Sequence, residues 1–171
     1  LIDPRNNPCA FCRAPAHRTD EEFLERLHKR VAVNDAEAIA LLGGEYDTGM
    51  NLPRDQHNAI KLYHQAAKLG NANAHFNLAI HYTQGHVVAR DEKRAYYHWA
   101  QAAIRGNEYA RCNLGHIEER SGHMNRAMKH YMIAVAAGDD KALNPMLQGY
   151  KRGYVTKEEY GEALRAYQNA Q

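Results

Sequence analysis

The chain of 171 residues contains 44% hydrophobic and 25% charged residues, a composition typical of a globular protein and unlike that of a disordered or collagen-like one. Its 22 Lys and Arg residues against 20 Asp and Glu residues give a net charge of +2, which is too small to hold a phosphate backbone, so no nucleic acid partner is expected. No stretch approaches the roughly 18 apolar residues that a membrane span requires, so no membrane partner is expected either.

The cysteine content bears on location. Three cysteines cannot form a disulfide framework, and no Asn-x-Ser/Thr glycosylation acceptor occurs. Both features favour an intracellular protein, cytoplasmic or nuclear. Because the chain begins with Leu1 rather than methionine, we expect it to be a fragment of a longer protein.

Residues 1–18 carry a Cys-x-x-Cys pair, Cys9 and Cys12, whose spacing lets two thiolates hold one zinc ion. His17 is a conceivable third ligand, but zinc needs four, so no complete site can be written. The string Pro-Cys-x-x-Cys-Arg resembles the last ligand pair of a RING-type zinc finger, whose other ligands would precede Leu1. Zinc is then expected only if those ligands are supplied upstream, and no other cofactor is expected. The alternatives are an extended turn without metal and a redox pair, which is disfavoured because no strand precedes it.

Residues 19–33 are predicted to form a capping helix. The sequence from Thr19 to Glu22 is a capping box, and an apolar face follows at Phe23, Leu24, Leu27 and Val31. We expect this helix to cover the exposed side of the helices that follow it.

From residue 34 to the end the chain repeats itself. Equivalent alanines fall at intervals of 36, 36 and 32 residues, and a second alanine register follows in each unit; these positions are Ala38, Ala74, Ala110 and Ala142, then Ala59, Ala95, Ala127 and Ala163. The intervals predict a repeat domain at 34–171, with two-helix repeats at about 34–70, 71–106, 107–138 and 139–171.

Each repeat shows the same signals. The first helix is predicted to begin after Asp35, Asn71, Asn107 or Asp139, side chains that cap free backbone N–H groups. Its core stripe is expected at Leu42, Leu78, Leu114 and Met146, with Tyr46, Tyr82 and Tyr150 one turn later. The second helix carries an aromatic four residues after its alanine, at Tyr63, Trp99, Tyr131 or Tyr167. Small and large side chains at these intervals predict closely packed helix pairs.

The strings ALLGGEYDTG, NLAIHYTQG, LYHQAAKLGN and AYYHWAQAAIRGN resemble the Sel-one-like repeat family, relatives of the tetratricopeptide repeat. The resemblance covers about Asn34 to the end and weakens in the fourth repeat, where Pro145 and Leu147 replace the expected Asn and Gly. It implies an all-α fold, a right-handed α-solenoid of about four two-helix repeats. With the Cys-x-x-Cys pair in front, the chain resembles RING-plus-repeat proteins of microbial eukaryotes.

By analogy with tetratricopeptide arrays, residues beside the apolar stripe of each first helix are expected to line a concave face that binds a protein or peptide. The candidate residues are Asn73, Phe76, Asn77, Ile80, Tyr109, Asn113, His116, Glu119, Lys141 and Gln148, with Cys112, Asn144 and Lys151 at neighbouring positions. The amides can bond a peptide backbone and the aromatics can anchor side chains. Alternatively, Asn77 and Asn113 brace adjacent helices, since the family pattern has Asn there.

No catalytic residues are predicted, because the one serine, Ser121, lies in a turn and Cys112 is expected to be packed. His98 and His130 are expected to be surface or partly packed residues rather than metal ligands. The favoured hypothesis is a monomeric, non-catalytic scaffold that binds a protein or peptide. A finer hypothesis, which the resemblance to RING-plus-repeat proteins implies, makes it the substrate-recruiting part of a RING-type ubiquitin ligase. An RNA-binding helical repeat is the first alternative, against which the low net charge stands. A repeat-fold enzyme is the second, although the cysteine pairs of the β-lactam-binding relatives are missing from these repeats.

Overall fold

The computed structural model describes residues 20–107 and 109–170, and in these residues it contains nine α-helices, one short 3-10 helix and no strand. The expected all-α class, built from successive helix pairs, is confirmed. The chain divides after Gly70 into two compact units. The first unit contains α1 (Asp20–Ala32), α2 (Ala36–Thr48) and α3 (Gln56–Lys68). The second contains α4 (Ala72–Gln84), α5 (Glu92–Ile104), α6 (Tyr109–Arg120), α7 (Met124–Ala136), a 3-10 helix (Asp140–Ala142), α8 (Leu143–Lys151) and α9 (Lys157–Ala170).

In the first unit, α1 packs against α2. Leu27 of α1 is buried in one cluster with Ala38 and Leu42 of α2, and Phe23 and Val31 pack against the edge of this cluster. The apolar face expected for the capping helix is therefore the face that packs. Thr19, the first residue of the predicted capping box, lies outside the described residues.

The helix starts follow the predicted caps. In α4, the Oδ1 of Asn71 accepts a hydrogen bond from the Ala74 backbone N–H at 2.8 Å, and Asn107 accepts one from Ala110 at 3.1 Å at the start of α6. Asp35, Asp55 and Asp91 cap α2, α3 and α5 in the same way. Such bonds satisfy N–H groups that have no partner inside the helix, so these short polar residues fix where each helix begins.

Glycine ends the first helix of two repeats. Gly49 after α2 and Gly85 after α4 have φ values of 74° and 73°, in the left-handed region that side chains disfavour. A Cβ on Gly85 would also lie 2.8 Å from the Cβ of Arg90. The turn after each helix is therefore open only to glycine.

The small and aromatic positions interlock as expected. Tyr63, Trp99 and Tyr131 are 1%, 4% and 0% exposed, and glycines of the paired helices make room for the two tyrosines. A Cβ on Gly43 would lie 2.8 Å from Tyr63, and one on Gly115 would lie 2.5 Å from Tyr131. Tyr167 of α9 is only half-buried, so the aromatic register weakens in the last helix pair.

Pro145 changes the last pair. The sequence places Pro145 near the sixth position of a regular helix, where its missing N–H would remove a backbone bond. The structure instead begins with the 3-10 helix and starts α8 at Leu143, so that Pro145 occupies the third helical position. Backbone N–H groups in the first turn have no helical acceptor, and proline is tolerated there. The result is a first helix of 9 residues in place of 13 in α2 and α4.

Candidate functional site

The candidate residues lie on α4, α6, the 3-10 helix and α8, all within the second unit. We call this set the first-helix face: Asn73, Phe76, Asn77, Ile80, Tyr109, Asn113, His116, Glu119, Lys141 and Gln148. Its members flank the buried stripe that contains Leu78 and Leu114, because neighbouring positions on a helix surface point about 100° apart. Five are exposed and five are half-buried, so all ten reach the surface.

An aromatic line crosses two repeats, and a lysine of the next repeat lies at its exposed end. The ring of Phe76 meets the buried ring of Trp99 edge-on, with centroids 4.7 Å apart. On its other side Phe76 lies 6.3 Å from the ring of Tyr109 on α6. The ammonium of Lys141 lies over that ring, 5.8 Å from its centroid. The line runs from the core outward and ends at Tyr109, which is 46% exposed.

Two amides of the first-helix face form hydrogen bonds within the protein. Asn107 donates from its Nδ2 to the Oδ1 of Asn73 at 3.0 Å and so joins two repeats. Asn113 donates from Nδ2 to the backbone carbonyl of Tyr109 one turn earlier, also at 3.0 Å. The bond of Asn113 stays within α6, so it does not bear out the expectation that this residue braces an adjacent helix. Each amide keeps hydrogen-bonding capacity that these bonds do not use.

A polar chain links α6 to α7. The Tyr131 hydroxyl donates to Glu119 at 2.7 Å, so its oxygen accepts from the Nδ1 of His116 at 2.8 Å. With the proton on Nδ1, the Nε2 of His116 is an acceptor. It lies 3.6 Å from the Sγ of Cys112, whose thiol can donate to it. Burial, together with the acceptor Glu119, raises the pKa of Tyr131. Two polar members of the first-helix face are thus held in place by a buried tyrosine.

Cys112 does not lie on the surface. It is 3% exposed, which confirms that it is packed and shows that its place beside the candidate binding residues was wrong. Burial, followed by the charge of Asp139, raises the pKa of its thiol to about 11. Because the thiolate is the nucleophilic form, Cys112 offers almost none near neutral pH.

The histidine expectation was also wrong for His98. It is 8% exposed, and its Nδ1 lies 2.9 Å from the Nδ1 of His75, which is equally buried. The ring of His98 stacks on Tyr82 at a 10° interplanar angle. Sequence reasoning missed this pair because the two residues are 23 positions apart. His130 is half-buried, as expected.

A second cluster surrounds Glu118, which the sequence analysis did not single out. It is 3% exposed, and its carboxylate accepts from Tyr96 of α5 at 3.0 Å and from Arg126 of α7 at 2.7 Å. His123 lies 2.9 Å from the other carboxylate oxygen. Glu118 occupies the position of Tyr82 in the preceding repeat, so the missing tyrosine of the third repeat was the available signal.

For the remaining candidate residues the structure gives the degree of burial. Asn77 and Ile80 are half-buried, and Gln148 is exposed. Cys9 and Cys12 lie outside the described residues.

Among residues 20–107 and 109–170, no three His, Cys, Asp or Glu side chains are grouped so that they could hold a metal ion. None of the described helices is long and apolar enough to cross a membrane.

The comparisons with known proteins agree with this architecture. The family model of the Sel1 repeat matches residues 36–71 and 72–107. A Sel1 repeat protein from Oxalobacter formigenes is similar over 88% of this chain and 62% of its own, with 22% identity and a TM-score of 0.69. The protective antigen c5321 of uropathogenic Escherichia coli, described as having an SLR fold, is similar over 86% of this chain and 32% of its own, with 27% identity and a TM-score of 0.73.

This chain therefore spans less than two thirds of the length of either solved protein. No curated protein matches it. Residues 36–107 consist of two Sel1 repeats, and the chain has the fold of a Sel1 repeat protein.

Proposed function

We propose that this protein is a non-catalytic scaffold that binds a protein or peptide on the first-helix face. The observation that carries the proposal is the exposed ring of Tyr109, held between Phe76 and Lys141 where three repeats meet. Sel1 repeats generally mediate protein–protein interactions, and this supports the assignment.

The chemistry of the first-helix face suits a peptide better than a small substrate. An aromatic ring fixed by its neighbours loses little conformational freedom when a partner covers it, and exposed tyrosines are common anchors of protein interfaces. The amides of Asn73 and Asn113 retain unused donors or acceptors that can meet a peptide backbone. The one described cysteine carries a protonated thiol, so the face holds no thiolate nucleophile for catalysis near neutral pH.

The experiment is a pull-down from a cognate lysate with the chain and its Tyr109→Ala variant. The control is Tyr154→Ala, because Tyr154 has nearly the same exposure, 45% against 46%, but lies in the turn between α8 and α9. Loss of a defined protein with Tyr109→Ala and its retention with Tyr154→Ala are expected. Equal capture by both variants, or recovery of RNA in place of protein, would refute the proposal.

We propose further that the scaffold recruits substrates for a RING-type ubiquitin ligase. The support is the Cys-x-x-Cys pair, Cys9 and Cys12, in front of the first helix. The test is zinc content by atomic absorption in the natural full-length protein, compared with its Cys9→Ala and Cys12→Ala variants. An unchanged zinc content in both variants would refute the ligase role. The proposal that the first-helix face binds a protein or peptide would still stand.

We also propose that the protein acts inside the cell as a monomer, with no cofactor other than the zinc that a RING-type finger would hold. The support is the sequence: three cysteines, no glycosylation acceptor and no predicted cofactor motif. Light scattering on the purified protein tests the oligomeric state, and a mass of about twice 19.4 kDa would contradict it.

A further inference from the structure

We propose that the partner segment is acidic, with a carboxylate that pairs with Lys141 and a neighbouring apolar side chain that packs on Tyr109 and Phe76. This inference rests on the proposed function, because it names the chemistry of the segment that the first-helix face binds. It is carried by the charges that surround Lys141.

Lys141 is a cation without a carboxylate partner. It is exposed at the surface of the 3-10 helix, and among the residues that the structure describes it forms no ion pair. The acidic residues next to it in sequence have other contacts. Asp139 is 5% exposed and caps the 3-10 helix by accepting from the Lys141 backbone N–H. Asp140 accepts the hydroxyl of Tyr167 on α9.

The ammonium of Lys141 is held beside the binding residues. Its position over the Tyr109 ring, 5.8 Å from the centroid, places a positive charge at the exposed end of the aromatic line. A segment that covers Tyr109 therefore brings its own side chains close to this charge. An acidic side chain there gains an ion pair, whereas a basic one meets a like charge.

The first-helix face has one carboxylate of its own, and it lies away from Lys141. Glu119 is ten residues beyond Tyr109 on α6, which corresponds to about 15 Å along the helix axis. Its Oε2 already accepts the hydroxyl of Tyr131. Lys141 is thus not ion-paired within the first-helix face, and its ammonium favours an acidic residue at that end of the bound segment.

A phage library of random dodecapeptides, panned on the immobilised chain, provides the test. We expect the selected peptides to be enriched in Asp or Glu next to a Leu or aromatic residue, and their binding to be lost with Tyr109→Ala. The variant Lys141→Glu should reverse the preference toward Lys and Arg. The neutral Lys141→Met should weaken binding of the best acidic peptide about threefold to fivefold at low salt, the upper part of the range measured for exposed ion pairs.

The matched control is Lys93→Glu, which makes the same charge change at an exposed position of α5. It should leave both the selection and the affinity unchanged. Lys141→Met also guards against a folding defect, because it adds no negative charge beside Asp139 and Asp140. Thermal unfolding of each variant shows that the fold is kept.

Two results would overturn the inference in different ways. Peptides that depend on Tyr109 but show no excess of acidic residues, or that bind Lys141→Met as well as the wild type, would refute the acidic partner while the proposed function stands. Peptides that bind independently of Tyr109, or no selected peptide at all, would refute both proposals together.

Discussion

Replacing Trp99 with alanine tests whether the aromatic register holds the repeats together. Trp99 is 4% exposed and packs edge-on against Phe76, which leads to the exposed Tyr109. Burying roughly 200 Å² of an indole at about 25 cal/mol/Å² contributes about 5 kcal/mol. Alanine keeps part of this burial and leaves a cavity, so we expect the free energy of unfolding to fall by about 3–5 kcal/mol.

The assay is urea unfolding followed by far-UV circular dichroism, because the variant lacks the only tryptophan. The control is Ile104→Ala on the same helix, where the side chain is 71% exposed and the expected change is below about 0.5 kcal/mol. A loss below about 1 kcal/mol for Trp99→Ala would show that the register does not support the fold. The explanation of the alanine and aromatic spacing would then be wrong.

Three further outcomes follow from other contacts. Gly115→Ala should lower the free energy of unfolding by about 1–3 kcal/mol in the same urea assay, because its Cβ would lie 2.5 Å from Tyr131, whereas Gly44→Ala, with its nearest neighbour at 3.9 Å, should not destabilise the protein. Glu118→Gln should cost about 1–3 kcal/mol by thermal unfolding, since a neutral amide replaces a buried carboxylate that accepts from the charged guanidinium of Arg126. Cys112 should resist iodoacetamide at pH 8 in the folded protein and react after unfolding, as peptide mapping can show. Because its thiol ionises near pH 9 in the unfolded chain and near 11 in the fold, stability from this group should be complete below pH 9 and fall between pH 9 and 11.

Local signals predicted most of the fold. Helix starts such as Asn71 could be read directly because a capping side chain acts on the backbone three residues away. The core stripe could be read because helical periodicity places Leu78 and Leu114 on one side. The effect of Pro145 was harder to predict. The chain could either lose one helical hydrogen bond or begin the helix later, and the structure shows the later helix start.

The site depended on contacts that sequence spacing does not encode. Tyr109 and Lys141 are 32 residues apart, and only the stacked repeats bring the ammonium over the ring. The surface positions expected for Cys112 and His98 were wrong for the same reason. One position more or less around a helix exchanges surface for core, and a helical turn alone does not show which side the neighbouring repeat covers.

The carboxylate of Glu118 constrains how this array can grow. It needs Tyr96 from the repeat before it and Arg126 from its own repeat. A tandem duplication of residues 107–138 would set the new copy of Glu118 opposite Met128, the residue that stands where Tyr96 stands one repeat earlier. The copied acid would then meet a thioether and lose one hydrogen-bond donor. The third repeat therefore depends on a donor from the repeat before it. The order of the repeats matters for stability as well as their number.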